Sequence, residues 1–324
     1  MFDPDVDPEL LAGLDLLPPF VLTKDSLAQY RESAAQFLPP AASYERANVL
    51  IEEHEAPGLN GAPPVRFFLY RPRAVGGPLP LLLFVHGGGY VLGLVEGNHP
   101  GCVRTADELQ CIVASVDYRL APETRAPGQV EDCYAVLAHL HARAAELDID
   151  AQRVAVGGES AGGGIAAALA LMVRDKGEYG LCFQQLIYPM LDDRTCIRAD
   201  MPEGVGRHVW TADANRFGWE ALLGQPPGSG EIAAYAAAAR AEDLGRLPPA
   251  YISVGSLDLF VEEDMEYARR LMSAGVPVEL HVLPRAYHGF ELNLDSELAR
   301  RSEAERRLAL ARAFAAAPSG RGPA

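Results

Sequence analysis

From residue 80 onward, apolar runs without polar alternation recur between segments of helical periodicity, and this pattern leaves few folds open to the chain. Pro80-Leu81-Leu82-Leu83-Phe84-Val85 and Val154-Ala155-Val156 present no polar face. A strand of that kind is at home only where both of its sides are covered. Candidate strands lie at 47–54, 64–71, 80–86, 111–117, 153–157, 183–188, 250–255 and 278–284. Helical patterns occupy 98–109, 127–147, 161–176, 262–274 and 295–316. Strand and helix in succession predict an α/β fold, an eight-stranded mostly parallel sheet with helices on both faces. The first two runs are joined through Gly58-Leu59-Asn60-Gly61, which predicts an antiparallel start.

Two stretches escape the alternation, residues 1–45 and 191–230. Open α/β sheets bind ligands at the carboxyl ends of their strands, so both stretches are read as a helical cap over that end, with no helix bounds assigned in 191–230. The core is then 46–190 and 231–318, with 319–324 as a frayed tail. The last strand is expected to be a sheet edge open to pairing, which leaves both monomer and homodimer in play.

Composition removes several function classes. Lys and Arg number 28 against 44 Asp and Glu, a formal net charge of -16. Phosphate backbones are bound by neutralising cations, so neither nucleic acid nor an anionic membrane is an expected partner. The longest apolar runs fall short of the roughly 18 residues that span a bilayer. Met1-Phe2-Asp3-Pro4-Asp5 lacks the basic start of a secretory leader, and a cytoplasmic location is expected. The five cysteines form no CxxC pair, so neither a disulfide framework nor a zinc site is predicted.

Gly158-Glu159-Ser160-Ala161-Gly162 falls between a predicted strand and an Ala-rich helix. A sharp strand-to-helix turn holds its serine in a strained conformation and needs tiny neighbours, which Gly158 and Gly162 supply. Taken alone, the run also fits a glycine-rich phosphate loop. However, no Walker lysine or ribose-binding acid follows at the required spacing. His86-Gly87-Gly88-Gly89-Tyr90 follows the third strand and matches the HGGG run that supplies half of an oxyanion hole. Bare glycines leave amides free to meet a carbonyl oxygen as it gains charge. The amide of Ala161 would be the second half.

A nucleophilic serine needs a base, and the base an orienting acid. Asp258 follows the strand at 250–255 and His288 follows the last strand, so both leave the sheet at the edge that carries Ser160. The chain order Ser160, Asp258, His288 is that of α/β hydrolases. Asp192 and Asp193 are rivals for the acid. Glu262, Glu263 and Asp264 read as the acidic first turn of a helix, where they favour its dipole.

On these residues the sequence resembles the hormone-sensitive-lipase-like branch of the α/β hydrolases, which includes many bacterial carboxylesterases. The likeness runs from about Leu81 to Phe290. It rests on the two glycine motifs together with Asp117-Tyr118-Arg119-Leu120-Ala121-Pro122-Glu123, Asp258-Leu259-Phe260 and Tyr287-His288-Gly289-Phe290. The resemblance implies that Gly88, Gly89 and Ala161 donate to the oxyanion, that Gly87 shapes the loop, and that the charges of 117–123 brace it. It also implies a cap where the two irregular stretches lie. Glu159 departs from the Asp or Thr common at its position, and Val261-Glu262-Glu263 replaces the usual Arg-Asp-Glu.

The function expected is a serine carboxylesterase acting on short- to medium-chain acyl esters, with a small-molecule ester as substrate and no metal or organic cofactor. An amidase or deacetylase would use the same groups. A non-catalytic receptor on this scaffold would lack the histidine that is present here. Tyr90, Glu159, Trp210, Phe217 and Trp219 are candidates for lining the substrate pocket; the aromatic ones among 191–230 are equally suited to packing the cap on the core.

Overall fold

The computed structural model describes residues 3, 5–15, 21–34, 36, 38–40, 44–73, 75–292 and 295–316; the expected tail at 319–324 lies outside them. The strands are β1 (Val49–Ala56), β2 (Val65–Pro72), β3 (Leu79–Val85), β4 (Ile112–Val116), β5 (Ile149–Glu159), β6 (Phe183–Ile187), β7 (Ala250–Gly255) and β8 (Val278–Leu283). They form an 8-stranded sheet in the order β1-β2-β4-β3-β5-β6-β7-β8. β1 and β2 pair antiparallel, as do β2 and β4; every later pairing is parallel. The helices are α1 (Leu11–Asp15), α2 (Lys24–Ala34), α3 (His99–Leu109), α4 (Gly128–Ala142), α5 (Ala161–Lys176), α6 (Ala212–Leu223), α7 (Val261–Ser273) and α8 (Glu297–Ala315). This is the eight-stranded, mostly parallel α/β sheet expected from the alternation, in the α/β-hydrolase form that the resemblance implied.

Two boundaries and one helix depart most from the periodicity reading; β1 and α8 shift by two residues or fewer at either end. β5 starts at Ile149, because the polar Asp150, Gln152 and Arg153 extend the strand beyond its apolar run. α4 stops at Ala142 rather than 147, with Arg143 hydrogen-bonded back to His139. α6 lies in the stretch for which no helix bounds were assigned, capped at its start by the Thr211 hydroxyl accepting from the Ala214 amide.

Hydrophobic clusters fill both sides of the sheet. One centres on α5, whose residues Ala161 to Val173 are all buried. Its Gly and Ala run lets the helix axis sit close to the strands, and the larger Ile165, Leu169 and Leu171 fill the remaining gaps. Each such aliphatic side chain contributes about 1.5–3 kcal/mol when fully buried. The other cluster joins Leu82, Val113 and Ala155 to Leu310 and Phe314 of α8.

Register places the functional loops. Val85 is level with Gly158, Gly158 with Leu186, and Gly255 with Leu283, so neighbouring strands finish along one edge. β8 is the outermost strand on its side and is half-buried over most of its length. The five cysteines are unpaired thiols, all but Cys182 buried. Among the described residues, no helix is long and apolar enough to cross a membrane.

Candidate active site

Ser160 sits at the junction of β5 and α5 with φ 56° and ψ −123°, a backbone state that a side chain tolerates only when its surroundings enforce it. Its amide donates to Ile187 O at 2.9 Å and its carbonyl accepts from Met190 N at 2.9 Å, which ties the turn to the end of β6. The flanking glycines follow from close approach. A Cβ on Gly162 would stand 2.1 Å from Val85 O, and one on Gly158 would stand 2.3 Å from Gly162 O.

His288 stands between Ser160 and Asp258. Its Nδ1 is 2.8 Å from Asp258 Oδ2 and its Nε2 is 2.9 Å from Ser160 Oγ. A carboxylate only accepts, so Nδ1–H donates to Asp258 and Nε2 is left to accept from the serine hydroxyl. Asp258 is fully buried, and its Oδ1 accepts from the Phe260 amide at 3.0 Å, which fixes the carboxylate plane. Tyr188 and Phe260 press ring edges against the imidazole at centroid distances of 4.7 and 5.1 Å. Ser160 and His288 are each only 6% exposed, so this hydrogen-bonded chain lies largely out of water. Such a chain can take the proton from the serine as its oxygen attacks a carbonyl.

The HGGG loop lies directly beside the serine. A Cβ on Gly87 would stand 3.2 Å from Ser160 Cβ. Gly88 has φ +123°, a state open to glycine, and a Cβ there would meet Leu92 O at 2.1 Å. The amides of Gly88, Gly89 and Ala161 donate no hydrogen bond among the described residues, whereas Gly88 O accepts from Val91 and Leu92. Unspent amides near a nucleophile are a ready cradle for a developing oxyanion. His86 stacks on Tyr118 at 4.3 Å, and its Nδ1 donates to Gly87 O at 2.7 Å. Burial pushes the His86 pKa down, so this imidazole is a neutral brace.

The 117–123 block meets the loop directly through neutral groups, and only one of its charges, Glu123, reaches it, by way of Arg31. Contact comes from neutral groups: the Tyr118 hydroxyl donates to His86 O at 3.0 Å and Ala121 N to Tyr90 O at 2.9 Å. The other charges turn elsewhere, Asp117 to Arg66 and Arg119 to Asp132. Glu123 pairs with Arg31 of α2, and that arginine also donates to Val91 O at 2.8 Å.

The remaining candidates scatter. Trp210 overhangs the loop, its ring occupying the place a Gly89 Cβ would take and lying 6.5 Å from the His288 ring. Tyr90 and Trp219 pack against each other in the core, with the Tyr90 hydroxyl donating to Met190 O at 2.8 Å. Phe217 faces a separate groove of about 650 Å³ between α2 and α6, lined also by Leu27, Arg31 and Arg125. The Glu159 carboxylate turns to Arg306 of α8 at 2.7 Å. Of the rival acids, Asp193 is buried against Arg240 and Asp192 pairs with Arg194. Tyr188 was not singled out from the sequence, its only signal being that it directly follows β6, and Phe260 entered only as part of the Asp258-Leu259-Phe260 motif, with no role at the imidazole.

The dipole reading of α7 holds only in part. Glu262 is at the surface on Arg198, but Glu263 and Asp264 are buried. Glu263 accepts from the amides of Leu191 and Asp192, and Asp264 finds no partner among the described residues. Burial pushes both carboxyls well above the usual range.

A family profile described as the alpha/beta hydrolase fold matches residues 82–292. Esterase LipI of Mycobacterium tuberculosis is 34% identical over 294 residues, 89% of this chain and 88% of its own length. The chain belongs to the hormone-sensitive-lipase-like α/β hydrolases. Carboxylesterase NlhH of the same organism is 34% identical over 295 residues, 89% of each chain. Among solved structures, a bacterial heroin esterase superposes with a TM-score of 0.90 at 41% identity, covering 96% of this chain and 98% of that one. This family member is a carboxylic ester hydrolase.

Proposed function

We propose that this hydrolase cleaves short- to medium-chain acyl esters through an acyl-enzyme on Ser160, with His288 as general base and acid and Asp258 as its orienting partner. The observation that carries the reading is the unbroken chain from Asp258 through His288 to Ser160, with links of 2.8 and 2.9 Å. Ser160 Oγ attacks the ester carbonyl while His288 Nε2 takes its proton. Gly88, Gly89 and Ala161 stabilise the tetrahedral oxyanion from their amides, and Gly87 keeps the loop against the serine. The C–O bond breaks as His288 protonates the leaving alcohol. Water, deprotonated by the same nitrogen, releases the acid and restores Ser160.

The described residues of 1–45, together with 191–230, are assigned as a cap over this edge. The Tyr287 hydroxyl donates to Leu10 O at 3.1 Å, Arg31 grips the loop after Gly89, and Trp210 covers it. A roof that close to the nucleophile supports a preference for small acyl groups. The test is turnover of p-nitrophenyl acetate by Ser160→Ala: loss of activity in a folded protein is expected, and wild-type turnover overturns the assignment. An amide-cleaving role would instead give a matched anilide a kcat/KM at least equal to that of its ester.

A further inference from the structure

Arg306, on the buried side of α8, touches both loops that carry the Ser160–His288 pair without touching either residue. Its Nη1 lies 2.7 Å from Glu159 Oε1 and 3.3 Å from Glu291 Oε2. Glu159 directly precedes Ser160, and Glu291 follows His288 in the short 3-10 turn Phe290–Leu292. Glu291 is 6% exposed, also accepts from the Ser302 hydroxyl, and has the Tyr188 hydroxyl 3.5 Å away. That tyrosine is the one whose ring edge meets His288. The arginine itself is 14% exposed and anchored from behind, since Gln185 of β6 donates to its carbonyl at 2.7 Å.

A largely buried carboxylate needs a counter-charge, and here two carboxylates from two separate loops share one. Among the described residues no other cation pairs with Glu159 or Glu291: Arg104 of α3 pairs with Glu303, Arg307 with Glu303 and Glu108, and Arg306 itself also reaches Glu303 at 3.5 Å. We propose that Arg306 is a positioning residue that clamps the serine turn to the histidine loop and so sets the Ser160–His288 distance. The inference rests on the triad reading above. If the clamp is lost, the two loops lose their common reference and the imidazole no longer meets the hydroxyl in line.

The experiment uses the full chain as wild type, Arg306→Met, Arg306→Lys, Arg104→Met and Ser160→Ala. Rates are normalised to active sites titrated with a chromogenic phosphonate, so that unfolded protein does not count. A misplacement near 1 Å at the reacting atoms lowers turnover roughly 100-fold. Arg306→Met is therefore expected to lose about that much kcat with KM within about twofold. Lysine, a point charge that reaches one carboxylate at a time, should recover part of it. Arg104→Met should lower the melting temperature yet keep kcat per titrated site. If Arg306→Met does not fold, Glu291→Gln keeps the shape, weakens the bridge and should lose kcat in the same sense. Wild-type kcat in Arg306→Met or in Glu291→Gln overturns the proposal, as does an equal loss in Arg104→Met. Activity retained by Ser160→Ala would instead strike the triad reading, whatever Arg306 does.

Discussion

At the scale of single residues, the site depends on backbone states that few sequences adopt. Ser160 at φ 56° and Gly88 at φ +123° place a hydroxyl and an amide where regular strand and helix geometry would not. The role proposed for Asp258 is tautomer control, because its Oδ2 accepts the Nδ1 proton and leaves Nε2 free for the serine. Asp258→Asn keeps the shape but lets the amide donate, favouring the wrong tautomer. Its kcat on p-nitrophenyl acetate should fall about 10⁴-fold with the fold retained. Gly89→Ala makes a different point. The added methyl would land 2.0 Å from the Trp210 ring at a residue with φ +59°, so loop or tryptophan must move. Under the proposed donor role of its amide, that displacement should lower kcat by about 100-fold, measured against unchanged circular dichroism.

Among the elements, α7 stores an electrostatic cost. Asp264 has no hydrogen-bond partner among the described residues, and burial, with Glu263 and Asp258 nearby, holds its pKa well above the usual 3.8. A carboxyl with a raised folded-state pKa stabilises the fold below its unfolded value, and that stability is lost as pH rises through the folded value. Asp264→Asn should therefore flatten the fall in melting temperature as pH rises above the unfolded carboxyl value of 3.8, read by calorimetry. An unchanged slope would assign the loss to other groups. The proposed cap role of the segment before α6 is tested through Trp210: Trp210→Ala should raise kcat/KM for p-nitrophenyl octanoate relative to acetate by at least about tenfold. The elements themselves were largely legible. Apolar runs located every strand, since burial on both faces leaves a strong local imprint. The bounds of α6 were missed because its Asp213, Asn215, Arg216 and Glu220 interrupt the apolar stripe that a core helix would show. The burial of Glu263 and Asp264 was equally hidden, because acids in a first helical turn usually face water.

For the whole molecule, chain order and strand position explain what could and could not be foreseen. Ser160, Asp258 and His288 were legible because each follows a strand, and parallel strands deliver their carboxyl ends to one edge. The sheet order was not: β4 lies between β2 and β3, a long-range pairing that periodicity does not encode. Nor was the direction of Glu159, whose partner Arg306 lies 147 residues further along. Trp210 and Trp219 looked alike in sequence, yet one covers the glycine loop and the other fills the core, a distinction created by how α6 packs. These long-range contacts bring an ordinary hydroxyl, imidazole and carboxylate into one hydrogen-bonded chain. The central claim is that Ser160 carries the acyl group, and stoichiometric labelling with a fluorophosphonate followed by peptide mass mapping tests it most directly. One adduct per chain on Ser160, formed in step with complete loss of esterase activity, is the result predicted. A label on another residue, or full activity in protein labelled at Ser160, would contradict it.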